Sequence, residues 1–111
     1  MTYLPLDNDN HPIPALRLKA GGAHRISSAA TAARNATAFS GHTRVVSLYA
    51  TSPVYVKFGT DNTVTATSSD HYFPSGVYYD FSIGGGAVGH STHVSVIRVS
   101  TDGDVYISEK E

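Results

Sequence analysis

The sequence predicts an all-β protein: a single small antiparallel β-sandwich or barrel with an extended N-terminal arm. Three observations carry that reading. Thr, Val and Ile supply 27 of the 111 residues and Tyr and Phe another 11, whereas Glu and Lys together make five and Gln is absent. Those preferences suit a pleated, half-buried surface and not a helix. Apolar residues recur at every second position in several short runs, the period of a strand with one buried face. Turn residues separate these runs roughly every eight to twelve positions, the spacing of sandwiches and small barrels.

Residues 1–15 form the arm and residues 16–111 the domain. Pro5, Pro12 and Pro14 fix φ and remove amide donors, and Asp7-Asn8-Asp9-Asn10 favours turns, so neither helix nor central strand is expected there. Leu4, Leu6 and Ile13 are apolar residues on a segment with little means to bury them by itself, which points to burial against a neighbouring chain. Leu16 to Ala20 alternates apolar and polar, Gly21-Gly22 interrupts it, and His24-Arg25-Ile26 resumes it, which predicts a first hairpin. Ser27 to Ser40 holds Phe39 as its one large apolar residue and reads as a loop with weak strands in preference to one short Ala-rich helix. Thr43 to Ala50, with Val46 and Leu48 on one side, and Val54 to Gly59, with Val54, Val56 and Phe58, predict two strands joined as a hairpin by Thr51-Ser52-Pro53.

Thr63 to Thr67 reads as a short edge strand between the Thr60-Asp61-Asn62 turn and the Ser68-Ser69-Asp70 break. Val77, Tyr79, Phe81 and Ile83 define the buried face of a strand that shows Tyr78, Asp80 and Ser82 outward. Gly84-Gly85-Gly86-Ala87-Val88-Gly89 predicts a flexible connection or a site of close backbone approach. Val94 to Val99 and Val105 to Ser108 flank Thr101-Asp102-Gly103-Asp104, where Asp-Gly signals a tight hairpin turn. The expected core is Val46, Leu48, Val54, Val56, Phe58, Val77, Tyr79, Phe81, Ile83, Val94, Val96, Val105 and Ile107.

Composition narrows function as well. Eight Lys and Arg against nine Asp and Glu give a formal charge of −1, so the basic field that drives counterion release from nucleic acid or an anionic membrane is missing. The absence of Cys excludes disulfides, thiolate zinc sites and thiol chemistry. The start, Met1-Thr2-Tyr3-Leu4-Pro5, lacks the basic flank and apolar stretch of a secretory signal, and a soluble chain is expected. His90 and His93 sit three apart, on opposite faces of an extended strand, so a shared metal would need a bend between them. Asp7-Asn8-Asp9-Asn10 lacks the Gly and the distal Glu of a calcium loop. The sequence contains no G-x-S-x-G elbow, and Asp70, Asp80, Asp102 and Asp104 are read as turn or strand-exit residues. Asn35-Ala36-Thr37 matches a glycosylation sequon, which carries little weight without a secretory signal. Neither enzyme activity nor a metal or cofactor is expected. Tyr55, Tyr78 and Tyr106 fall opposite the core residues of their own strands, and tyrosine offers contact area at low entropic cost with a polar tip. With Leu4, Leu6 and Ile13 they are the candidate interface residues, for protein or for sugar.

Four segments in order add a resemblance: Val54-Tyr55-Val56-Lys57-Phe58-Gly59; Thr65-Ala66-Thr67-Ser68-Ser69-Asp70-His71-Tyr72-Phe73-Pro74-Ser75-Gly76-Val77; His93-Val94-Ser95-Val96-Ile97-Arg98; and Asp102-Gly103-Asp104-Val105-Tyr106-Ile107-Ser108-Glu109. Thr43 to Glu111 resembles small structural proteins encoded among the head and tail genes of tailed bacteriophages and prophages. The glycine-rich stretch 84–89 and the proline-rich arm depart from that pattern. The resemblance implies a virion structural role. The foremost expectation is a capsid decoration, or cement, protein on the outside of the shell, made in the bacterial host cytoplasm. Its partners would then be the major capsid protein and copies of itself, as a homo-oligomer such as a trimer, with no nucleic acid and no membrane. A neck or tail component, or a carbohydrate-binding attachment module for the host surface, is the alternative, and a small hydrolase is the least favoured.

Overall fold

A computed structural model describes residues 16–85 and 89–111. The predicted arm, with Leu4, Leu6 and Ile13, lies outside the described residues. The fold is all-β: β1 (Leu18–Ser28), β2 (Ala33–Arg34), β3 (Val45–Ala50), β4 (Val54–Gly59), β5 (His71–Phe73), β6 (Tyr78–Ser82), β7 (His93–Arg98) and β8 (Gly103–Lys110). Two four-stranded sheets form, in the orders β1-β8-β3-β6 and β2-β7-β4-β5. All pairings are antiparallel. Each strand pairs with the one equally far from the other end of the series: β1 with β8, β2 with β7, β3 with β6, β4 with β5. The described chain is thus one long antiparallel ribbon with its tip at β4 and β5, rolled up until β8 also meets β3 and β7 also meets β4. That is the connectivity of an eight-stranded jelly roll, a double-sheet sandwich.

The nested order overturns the predicted local hairpins. β3 and β4 have the expected residues, but Thr51-Ser52-Pro53 carries the chain from one sheet to the other. β7 and β8 are likewise in opposite sheets, so Asp102-Gly103 is no hairpin turn. Gly103 is not among the positive-φ glycines. It is required for space, because a Cβ there would run into Ser52 Oγ and lie 2.7 Å from Thr51 Oγ1. The first predicted hairpin is instead one strand, β1, whose register with β8 shifts between Leu18 and Ala23. A β-bulge of this kind absorbs extra residues without ending the strand, and Gly21 takes φ +75 within it.

Between the sheets, Ile26, Val46, Leu48, Ala50, Val105 and Ile107 of the first meet Val54, Val56, Val94 and Val96 of the second, joined by Phe39 and Ile83. At about 25 cal/mol per Å² of apolar area removed from water, this slab is the main stabilising term. Phe58, Tyr79 and Phe81, expected in the core, are half-buried at its open edge. Val77, also expected there, is 43% exposed, because β6 begins only at Tyr78. Thr63 to Thr67 forms no strand. The segment folds over the outer face of the second sheet, where the Ala66 amide donates to Ser95 Oγ (2.9 Å) and Arg34 Nη1 donates to the Val64 carbonyl (2.7 Å). Side-chain bonds replace a ladder, and Val64 and Ala66 are buried by them. In the glycine-rich stretch, Gly84 and Gly85 take positive φ, and a Cβ on Gly84 would strike the Gly89 carbonyl, so close backbone approach is the reason for glycine there.

Candidate functional site

Strand alternation and register together build a row of tyrosines on the outer face of the first sheet. In β3, Val46, Leu48 and Ala50 point inward, so Tyr49 points out. In β8 the same alternation turns Tyr106 outward between Val105 and Ile107, and in β6 it turns Tyr78 outward beside Tyr79. Tyr49 is the register partner of both Tyr78 and Tyr106, and Tyr106 is opposite Arg25 on β1. The line Tyr78–Tyr49–Tyr106–Arg25 therefore crosses all four strands. With neighbouring strands about 4.8 Å apart, its three rings span roughly 10 Å.

Tyr78 is 62% exposed and Tyr106 41%, with Tyr49 half-buried between them; the Tyr49 and Tyr78 ring centroids are 5.6 Å apart. Arg25 closes the row in a fork, Nε and Nη2 donating to the two Asp104 carboxylate oxygens at 3.3 and 3.2 Å. This hydrogen bond and the Asp104 charge raise the Arg25 pKa, and a bidentate pair of this kind holds the guanidinium plane in one orientation. In the two rows beyond, Lys110 Nζ, level with Val45, donates diagonally to Oδ1 of Asp80, level with Ser47 (2.8 Å), from β8 to β6 across the intervening β3.

Of the three predicted interface tyrosines, Tyr78 and Tyr106 share this face. Tyr55 does not: it lies on the outer face of the second sheet, paired with Tyr72 on β5 at a centroid distance of 6.0 Å. Tyr49 was missed as a site residue although its parity with Val46 and Leu48 marked it as outward. Nothing in the sequence indicated that β3 lies between β6 and β8, and that placement is what makes a row of it. Such a platform can pack on a protein surface or stack on sugar rings, its hydroxyls supplying polar contacts at the rim.

A second cluster sits between the sheets at one end of the core. Glu109 faces inward from β8 and is buried; its Oε1 accepts from Thr43 Oγ1 (2.6 Å) and the Ser40 amide (2.8 Å), and its Oε2 accepts from His24 Nε2 (2.8 Å). A carboxylate only accepts, so His24 carries its proton on Nε2. The His24 ring meets Phe39 edge-on at 5.1 Å. Burial pushes the Glu109 pKa up, but the hydrogen bonds from Thr43, His24 and Ser40 outweigh it and hold the group below its ordinary 4.5. The polar atoms at this end are consumed by one another, which makes it a structural lock joining β1, β8 and the segment before β3.

The remaining candidates have structural duties. His90 Nε2 bonds to the Thr43 carbonyl (2.8 Å) and His93 Nδ1 to Thr92 Oγ1 (2.8 Å). No group of three or more His, Cys, Asp or Glu placed to hold a metal occurs among the described residues. Asp70 accepts from the Thr67 amide (2.7 Å), Asp102 pairs with Arg98, and Asp80 and Asp104 hold the ion pairs above. Asn35 of the sequon is buried, its Oδ1 accepting from the Val94 amide (2.9 Å) and its Nδ2 donating to the Thr37 carbonyl (2.7 Å).

No family model, curated protein or solved structure matches the chain. Among the described residues, no helix is long and apolar enough to cross a membrane.

Proposed function

We propose that this chain is a structural protein of a bacteriophage virion, a decoration protein that packs on the outside of the capsid shell and ties neighbouring subunits together. The observation that carries the proposal is the tyrosine row: three aromatic side chains in register across a sheet face, flanked by two surface ion pairs, the composition of a protein-contact patch with a polar rim. Two further points support it. The four ordered segments between Thr43 and Glu111 resemble small phage structural proteins, and the jelly roll is an architecture that viral capsid domains use, although it also serves lectins and cupins, so the fold supports by analogy only. The chain acts by packing and performs no catalysis. A partner that binds only the assembled shell stabilises it by mass action.

The test is the copy number of this chain against the major capsid protein in purified particles, together with the survival of particles with and without it under osmotic shock. A copy number comparable to that of the shell subunit, with weaker particles on its loss, is expected. A few copies per particle would place it in the neck or tail. The outer-face pair of half-buried Tyr55 and exposed Tyr72 favours a second reading, a carbohydrate-binding module for host attachment. Loss of adsorption to cells with normal shell strength, reversed by soluble host glycan, would select it.

A further inference from the structure

The open edge of the sandwich is apolar. β5 and β6 end the two sheets on the same side, and the gap between them is a groove of about 270 Å³ lined by Val56, Phe58, His71, Phe73, Phe81 and Ser82. Its aromatic rings hold one another in place: Phe73 and Phe81 meet at 5.2 Å, and Phe58 and Phe81 at 6.0 Å. Terminal strands also present unpaired backbone groups, so this edge is ready to receive an extended apolar segment.

The chain itself contains such a segment. In Leu4-Pro5-Leu6 the two leucines alternate with a proline that has no amide to leave unpaired on the far side. The place where the arm joins the domain says whose groove it reaches. Arg17 exchanges two backbone hydrogen bonds with Glu111 (2.9 and 2.8 Å), so the arm begins at β1, the edge of the first sheet opposite β6. Pro12 and Pro14 favour an extended backbone, and the sharp reversal needed to bring the arm back across β8 and β3 to its own groove is disfavoured by that preference. Leu6 lies ten positions before Leu16, a reach of at most roughly 35 Å, enough to meet the open edge of an adjacent molecule.

We propose that residues 1–15 of one copy dock in the β5–β6 groove of a neighbouring copy, with Leu4 and Leu6 entering it. Because the two surfaces lie on opposite edges of the sandwich, the contact is head-to-tail, the kind that closes into rings or extends as chains. The proposal does not rest on the virion reading and is tested on the purified protein with no particle present, so either can fail alone.

The chain has no native Cys, so a Leu6→Cys, Ser82→Cys variant gives a clean disulfide test under mild oxidation. A docked segment holds its thiol at an effective concentration in the millimolar range. Covalent multimers should therefore form on the order of tenfold faster than in a Leu6→Cys, Thr37→Cys control, whose second cysteine is exposed beside β2, on the far side of the second sheet. Full-length Leu4→Asp, Leu6→Asp should sediment as a monomer with unchanged β circular dichroism. Equal rates in the two cysteine pairs, a disulfide formed only within one chain, or an unchanged mass in the aspartate variant would each overturn the proposal.

Discussion

Glu109 lies where a single substitution separates charge from shape. Glu109→Ala removes the acceptor for the Ser40 amide, the Thr43 hydroxyl and the His24 ring, which are now 2.6–2.8 Å from it. Each polar group left buried without a partner costs about 1–3 kcal/mol. With the hydroxyl free to rotate towards another acceptor, the sum for the other two is about 2–6 kcal/mol, a large share of the 5–15 kcal/mol that domains have. Glu109→Gln keeps the shape and the two acceptor contacts of one oxygen but turns charge-assisted bonds into neutral ones, at about 2–3 kcal/mol. The pH dependence separates the two effects. The Glu109 pKa is lower in the native state than its ordinary 4.5, so between those values the unfolded chain binds the extra proton, and this contribution to stability is present above 4.5 and lost as pH falls through the native value. The deficit of Glu109→Gln relative to the parent should therefore be full at neutral pH and shrink in acid. Urea unfolding followed by circular dichroism at a series of pH values measures it. A deficit that stays constant into acid, or a Glu109→Ala cost below about 1 kcal/mol, would refute the account of the cluster.

The Tyr49→Ala, Tyr78→Ala, Tyr106→Ala triple variant should keep its fold, since all three side chains lie outside the core, and lose particle binding in a co-sedimentation assay. Gly103→Ala should cost about 2 kcal/mol in the same unfolding measurement, because its methyl group would displace Ser52 and Thr51 at the crossing between the sheets. Phe81→Ala should cost about 3 kcal/mol, the low end for a large-to-small aromatic change, because Phe81 is half-buried and borders a groove that already tolerates space. Removal of residues 1–15 should leave a folded domain with reduced particle affinity; unchanged affinity would count against an interface role for Leu4, Leu6 and Ile13.

Local structure was legible in the residue pattern. The period of two in Val46 and Leu48, in Val54 and Val56, in Val94 and Val96, and in Val105 and Ile107 identifies strands and their buried faces, because alternation is a property of one extended chain whatever lies beside it. The outward parity of Tyr78 and Tyr106 was legible for the same reason. Which strands are neighbours depends instead on contacts made in the folded chain. Thr51-Ser52-Pro53 and Thr101-Asp102-Gly103-Asp104 read as hairpin turns, yet both cross between sheets, since a few turn residues allow either course and the choice falls to the burial of both sheets' apolar faces at once. Thr63 to Thr67 alternates like a strand but bonds through Ser95 and Arg34. Glu109 and His24, 85 positions apart, give no sequence sign of their pairing. Tyr49 becomes the middle of a row only because β3 runs between β6 and β8, a register set by contacts between distant parts of the chain, which no local pattern encodes.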